Sequence, residues 1–212
     1  ASFLVSPDGE FVAGYRKRNI VVFGEYIPLV RWLPFVKWFT PIEGGFTPGD
    51  RAVPFVLSRP HVKTSPLICF EDIFPQTARE AAEDDTDFLV NLTNNGWFGE
   101  SAAQWQHAAA AVFRTVENGL SLIRCSNNGL TGWVDAHGRL RQVFRDERGT
   151  IYGPGYLTAQ IPLLSPGEKR VPTFYHQHGD VFGWACVGFT GIMLLGRMLR
   201  RLQTSRSAAK PA

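Results

Sequence analysis

Short apolar runs recur along most of this chain, each cut off by glycine, proline or asparagine. VPFVL (53–57), LICF (67–70), FLVNL (88–92), SLIRCS (121–126), LTGWV (130–134) and YLTAQI (156–161) have the length and the β-branched or aromatic content of strands. Near the start, Phe3–Val5 and Phe11–Tyr15 flank Pro7-Asp8-Gly9, which predicts a hairpin. Thr64–Pro66 reads as a turn ahead of the LICF run. A longer period appears from Ala102 to Asn118. Trp105, Ala108, Ala109, Val112, Phe113 and Val116 fall at helical spacing and predict a buried stripe, with Ser101 as N-cap and Gly119 at C′. A second helix is expected from Pro75 to Glu83. Strands alternating with helices argue an α/β layered fold.

The last part of the chain has a different pattern. Residues 181–196 carry no charge, Arg197 follows, and Tyr175 and Trp184 stand where an aromatic belt would lie. Sixteen uncharged residues fall short of the ~20 that cross a bilayer core, but Arg197 near the end can snorkel to the interface. A transmembrane helix is expected; a glycine-rich core helix is the alternative. Five basic residues and no acid occupy the last sixteen positions, so the positive-inside rule puts the C-terminus in the cytoplasm and the body on the other side. The expected organisation is a catalytic-type body over 1–172, the membrane helix and its approach over 173–199, and a basic tail over 200–212. A second apolar stretch, IPLVRWLPFVKWFTP (27–41), mixes aromatics with Arg31 and Lys37 and is broken by Pro34. It reads either as a segment lying among lipid headgroups or as a loop over the core.

Charge and cysteine content narrow the classes. The net charge of +3 comes from the tail, and the body carries a slight acidic excess, which argues against a nucleic-acid binder. Cysteines 69, 125 and 186 are odd in number and form no C-x-x-C pair or Cys/His cluster, so no metal or other cofactor is expected. A Cys69–Cys125 disulfide is neither required nor ruled out by spacing. The chain opens on Ala1 inside the hairpin, which reads as a piece of something longer.

Candidate chemistry centres on SPLICFEDIFP (65–75). Cys69 closes an apolar run just before Glu71 and Asp72, and so is either inert packing or a nucleophile needing a base or a lowered pKa. Lys17 and Glu25 flank the run in GYRKRNIVVFGEYIP; alone, each reads first as a solvated lysine and a loop acid. TNNGWFG (93–99) and SNNGLTG (126–132) are tight-turn signals, and both follow strands of one body, so they are expected on one rim with the end of the Cys69 strand.

Taken in order, YRKRNIVVFGEYIP, GGFTPGD, LICFEDIFP, NLTNNGWFG, WQH, RTVENGL, RCSNNGLTG and the terminal apolar helix resemble the later half of the carbon–nitrogen hydrolase (nitrilase) domain found in the apolipoprotein N-acyltransferase family. The resemblance covers nearly the whole chain. It implies an α/β fold: the later half of a nitrilase-type α-β-β-α sandwich followed by one transmembrane helix in the bacterial inner membrane, with the body periplasmic. It implies Cys69 as nucleophile, Lys17 as stabiliser of the tetrahedral intermediate and Glu25 as the further acid near them. Glu71 matches a glutamate usual in the family, Phe70 stands where the family often has tyrosine, and Asn94 and Trp97 are supporting or substrate-binding positions. Asn19 and Val22 depart from the family's usual histidine and proline. The implied reaction moves an acyl chain from a phospholipid through a cysteine thioester to the N-terminus of a diacylglyceryl-lipoprotein, with the 27–41 segment serving lipid entry and GGFTPGD (44–50) as a lid. No residue matches the family's first glutamate, the general base, whose part is about 10²–10⁴-fold; the chain alone is therefore expected to be inactive or nearly so. A nitrilase-superfamily amidase and an inactive membrane-anchored fragment are the rival readings.

Overall fold

Alternation of turn residues with short apolar runs produces one six-stranded sheet and a separate hairpin. The computed structural model describes residues 1–30, 32–39 and 45–208, with the backbone alone at Lys37, Phe39 and 201–208. Arg31, residues 40–44 and residues 209–212 lie outside this description, and with them parts of the expected headgroup segment, lid and basic tail. The chain divides into two compact units, Ala1–His176 and Gln177–Ala212.

In the first unit, β1 (Ser2–Val5) and β2 (Phe11–Tyr15) form the antiparallel hairpin expected from Pro7-Asp8-Gly9. The sheet runs β3 (Phe55–Ser58), β4 (His61–Ile68), β5 (Phe88–Thr93), β6 (Ser121–Ser126), β7 (Gly132–Val134) and β8 (Leu140–Val143), in that spatial order. The central β4, β5 and β6 are parallel and the outer pairs antiparallel. The Thr64–Pro66 turn is not formed: these residues lie inside β4. Pro66 is tolerated there because pairing with β3 stops at Thr64, leaving that edge of β4 without a ladder partner among the described residues. YLTAQI forms no strand and finds no ladder among the described residues, whereas LRQV, with a weaker apolar signal, pairs across a turn closed by Asp135 Oδ1, which accepts from the His137 and Arg139 amides.

Helices α1 (Pro75–Ala81) and α2 (Ala103–Asn118) pack on one face of the sheet. Leu67, Leu89 and Leu122 from three adjacent strands meet Ala78, Ala81, Ala82 and Ala111. Each such leucine contributes about 1.5–3 kcal/mol on burial, and the alanines let the helices approach closely. Farther along the same face the strands turn polar: Asn91 follows Leu89, and Arg124 follows Leu122, as register partners.

The buried stripe expected on α2 is not the one observed. Trp105, Ala109, Phe113 and Val116 are exposed, and Gln104, His107, Arg114, Thr115 and Asn118 are buried with Ala108 and Ala111. The polar side chains turn inward because buried partners await them: Arg114 donates to the Ile73 carbonyl (2.9 Å) and Gln104 to the Gly99 carbonyl (2.8 Å). Ser101 is not the N-cap, since its hydroxyl donates to the Phe98 carbonyl instead. Gly119 does terminate the helix, at φ +62°.

The short helix α3 (Phe174–His178) precedes α4 (Val181–Ala208). Within α4, Val181–Arg200 has a mean hydropathy of 1.5 and no buried residue. It is long and apolar enough to cross a membrane.

Candidate active site

The site is assembled where the central parallel strands end. After Ile68 the chain leaves β4 and enters a 3-10 turn, Cys69–Ile73, with Cys69 itself at φ +53°. A β-carbon in that region costs on the order of 1–2 kcal/mol, so other contacts must hold the turn. Glu71 supplies them. Fully buried, it accepts from the Ile68 amide (2.7 Å), the Arg18 amide (2.6 Å), the Asn19 amide (3.2 Å) and the Tyr15 hydroxyl (2.9 Å). Burial, with the Glu71 charge beside it, raises the Tyr15 phenol pKa, which keeps it a donor. One carboxylate thus ties the Cys69 turn to the 15–19 segment that carries Lys17. Arg18 and Asn19 pin the same segment to α1, through Glu80 and Thr77.

Glu71→Gln keeps the shape but sets an amide donor against a backbone donor in a buried place. The expected loss is about 1–3 kcal/mol, read as a lower denaturation midpoint. A variant that unfolds like the unchanged protein would contradict the clamp.

Lys17 is nearly buried, at 9% exposure, and donates to both oxygens of Glu25 at 2.6 and 2.7 Å. Glu25 also accepts from the Val21 amide (2.8 Å), which fixes the acid against its own loop. The 45–50 segment is tied to the same place, through Phe46 N to the Glu25 carbonyl (3.0 Å) and Gly49 N to the Lys17 carbonyl (2.8 Å). A cavity of about 280 Å³ opens beside this pair. Glu25, Cys69, Phe70, Asn94, Trp97 and Phe98 are among the residues that line it, so its wall is mostly apolar. Larger concavities of about 350, 360 and 490 Å³ lie elsewhere among the described residues and contain neither Cys69 nor Glu25.

The two asparagine-rich turns meet on this rim. Asn127 donates through Nδ2 to Asn94 Oδ1 (2.8 Å) and accepts from the Asn95 amide (3.1 Å). The Cys69 thiol donates to the Asn94 carbonyl at 3.7 Å. Cys69 is half-buried, and all three cysteines are free, which removes the Cys69–Cys125 pairing.

Among the residues singled out in the sequence, Cys69, Glu25, Phe70, Asn94 and Trp97 share the cavity, Lys17 is bound to Glu25, and Glu71 lies beneath the turn. Asp72, Asn91, Asn95, His107 and Arg124 lie in the quoted segments but carry no individual role in the sequence reading, and all are buried. A signal existed: polar residues inside apolar strands, and polar residues at 104, 107, 114, 115 and 118, which fall on one face of α2.

The carbon–nitrogen hydrolase family model matches residues 1–159. The chain is 35% identical over 193 residues to the apolipoprotein N-acyltransferase of Geobacter metallireducens, covering 91% of this chain and 35% of the relative. It is 32% identical over 207 residues to the enzyme of that name from Chlorobaculum tepidum, covering 95% and 37%. For Rickettsia prowazekii the identity is 36% over 181 residues, covering 85% and 34%. The chain thus spans about a third of the length of the curated relatives it matches. Among solved structures, an amidase from Nesterenkonia sp. aligns at TM-score 0.46 and 22% identity, covering 71% of this chain and 51% of that one. With about three quarters of its length matched by the family model, the chain belongs to the carbon–nitrogen hydrolase family.

Proposed function

We propose that the chain carries the acyl-transfer site of an apolipoprotein N-acyltransferase, working through a thioester on Cys69. The observation that carries this reading is the placement of Cys69 on a positive-φ turn at an apolar cavity shared with Glu25, which in turn holds Lys17. In the first half-reaction the Cys69 thiolate attacks the ester carbonyl of a phospholipid. Charge develops on the carbonyl oxygen, and the Lys17 ammonium with the backbone N–H after the cysteine stabilises it. The carbon–oxygen bond breaks, the leaving oxygen takes up the proton that the thiol gave up so that the lysophospholipid departs as the alcohol, and an acyl thioester remains. In the second, the α-amine of a diacylglyceryl-cysteine attacks the thioester, an amide forms, and the thiol is regenerated. Glu25 holds Lys17 in place, and the apolar wall suits an acyl chain.

Membrane placement supports the same reading. The described part of the 27–41 segment leaves Leu29, Trp32, Phe35 and Trp38 exposed, as a headgroup-level segment would. Val181–Arg200 supplies an anchor, with Arg197 and Arg200 at its end. The positive-inside rule sets the body on the periplasmic side of a bacterial inner membrane.

The test is intact-mass analysis of the protein expressed from its complete reading frame and incubated with phospholipid. The mass should rise by one acyl chain and fall again when a diacylglyceryl-cysteine peptide is added. Hydrolysis of small amides with no acyl gain from phospholipid would instead make the site an amidase.

A further inference from the structure

We propose that His107, at the wall of the Cys69 cavity, is a positioning residue for Cys69, fixing the loop that receives the thiol. The proposal rests on the reading of Cys69 as nucleophile. A buried polar circuit touches the cysteine at both ends. On the backbone side, Asn91 Nδ2 donates to the Cys69 carbonyl (2.9 Å), Asn91 Oδ1 accepts from Arg124 Nη1 (3.1 Å), and that same Nη1 donates to Asp72 Oδ2. On the thiol side, His107 Nε2 meets Asp72 Oδ1 and His107 Nδ1 meets Asn95 Oδ1, each at 2.9 Å. Asn95 follows Asn94, whose carbonyl takes the Cys69 thiol.

His107 is therefore the link through which the two halves of the circuit meet. It sits in the first turns of α2, a sixteen-residue helix, and is buried, so it has little freedom of its own. Asp72 belongs to the same turn as Cys69, and Asn95 to the loop across from it. Without the imidazole, the weak thiol contact to the Asn94 carbonyl is the one hydrogen bond left between the turn and the loop among the described residues. The 94–95 loop would then be held by Asn127 from the far side and by Gln104 Nε2 at the Asn95 carbonyl (3.1 Å), neither of which reaches the Cys69 turn. Displacing a reacting group by about 1 Å costs on the order of 100-fold in rate.

The test uses the protein from its complete reading frame in detergent and compares His107→Ala, His107→Gln and a core variant, Leu89→Val, that lowers stability away from the circuit. Two rates are measured: iodoacetamide alkylation mapped to Cys69 by peptide mass, and acylation by phospholipid. His107→Ala should change the alkylation rate severalfold and lower the maximal acylation rate roughly 10- to 100-fold, with the phospholipid KM within about twofold. His107→Gln, which can reach both neighbours through its amide, should recover most of the loss, and Leu89→Val should lose neither rate. The proposal is overturned if His107→Ala reacts like the unchanged protein, if only KM moves, or if Leu89→Val falls in parallel with it. If alkylation responds as expected while even the unchanged protein takes no acyl group from phospholipid, the positioning role stands and the acyl-transfer reading fails.

Discussion

Cys69→Ala is expected to abolish the phospholipid-derived acyl adduct and all transfer, while shifting the melting temperature by no more than about 2–4 °C. The separation of the two effects follows from what the thiol touches. Among the described residues its one hydrogen bond is a weak S–H contact to the Asn94 carbonyl, at 3.7 Å. The turn is held by backbone and by Glu71, and Asn91 grips the Cys69 carbonyl, which alanine retains. Alanine meets the same left-handed backbone cost as cysteine, so no new strain enters. The chemistry, in contrast, has no substitute: a methyl group cannot form a thioester. Cys69→Ser should also fail, because a hydroxyl lacks the thiol's readily formed anion. An acyl gain that persists in Cys69→Ala would move the nucleophile to one of the two exposed free thiols, Cys125 or Cys186, and overturn the proposed mechanism.

How far the sequence could be read depended on whether neighbours in the chain or neighbours in space decided the outcome. The hairpin around Pro7-Asp8-Gly9, strands β5 and β6, and Gly119 at the helix end depend on local chemistry, and each formed where the pattern put it. Cys69 and the meeting of two asparagine-rich turns were legible because parallel strands bring their ends to one rim. α2 was misread for the opposite reason. Its apolar residues looked like the core, but the inner face answers to Asp72, Ile73 and the 95–99 loop, and so buries His107, Arg114 and Gln104. Thr64–Pro66 has turn composition yet lies in β4, because eight residues of that strand are held by β3 and then β5. Glu71 was recognisable as a position of interest, but its contact with Tyr15 spans 56 residues and cannot be read from spacing.

Lys17→Met should lower the acylation rate by about 10²–10³-fold with little change in KM, second in size only to loss of the cysteine. The lysine is nearly buried and its ammonium is fixed by two contacts to Glu25, so it is presented without reorganisation, the condition under which one donor to a developing oxyanion contributes about 2.7–4 kcal/mol. Methionine keeps the length and apolar stem but removes the charge. Among the described residues it also leaves the Glu25 carboxylate with the Val21 amide as its one donor, so part of the loss would come from an unpaired acid disturbing the site. The double variant Lys17→Met with Glu25→Gln separates the two causes. If Lys17 acts on the oxyanion, the double variant should regain thermal stability and remain as slow as Lys17→Met alone. If its rate returns toward that of the unchanged protein, the single variant's defect came from the unpaired carboxylate and Lys17 is not the stabiliser. Lys17→Arg should recover little, because a planar fork with a longer reach cannot occupy the point now fixed by two short contacts to Glu25.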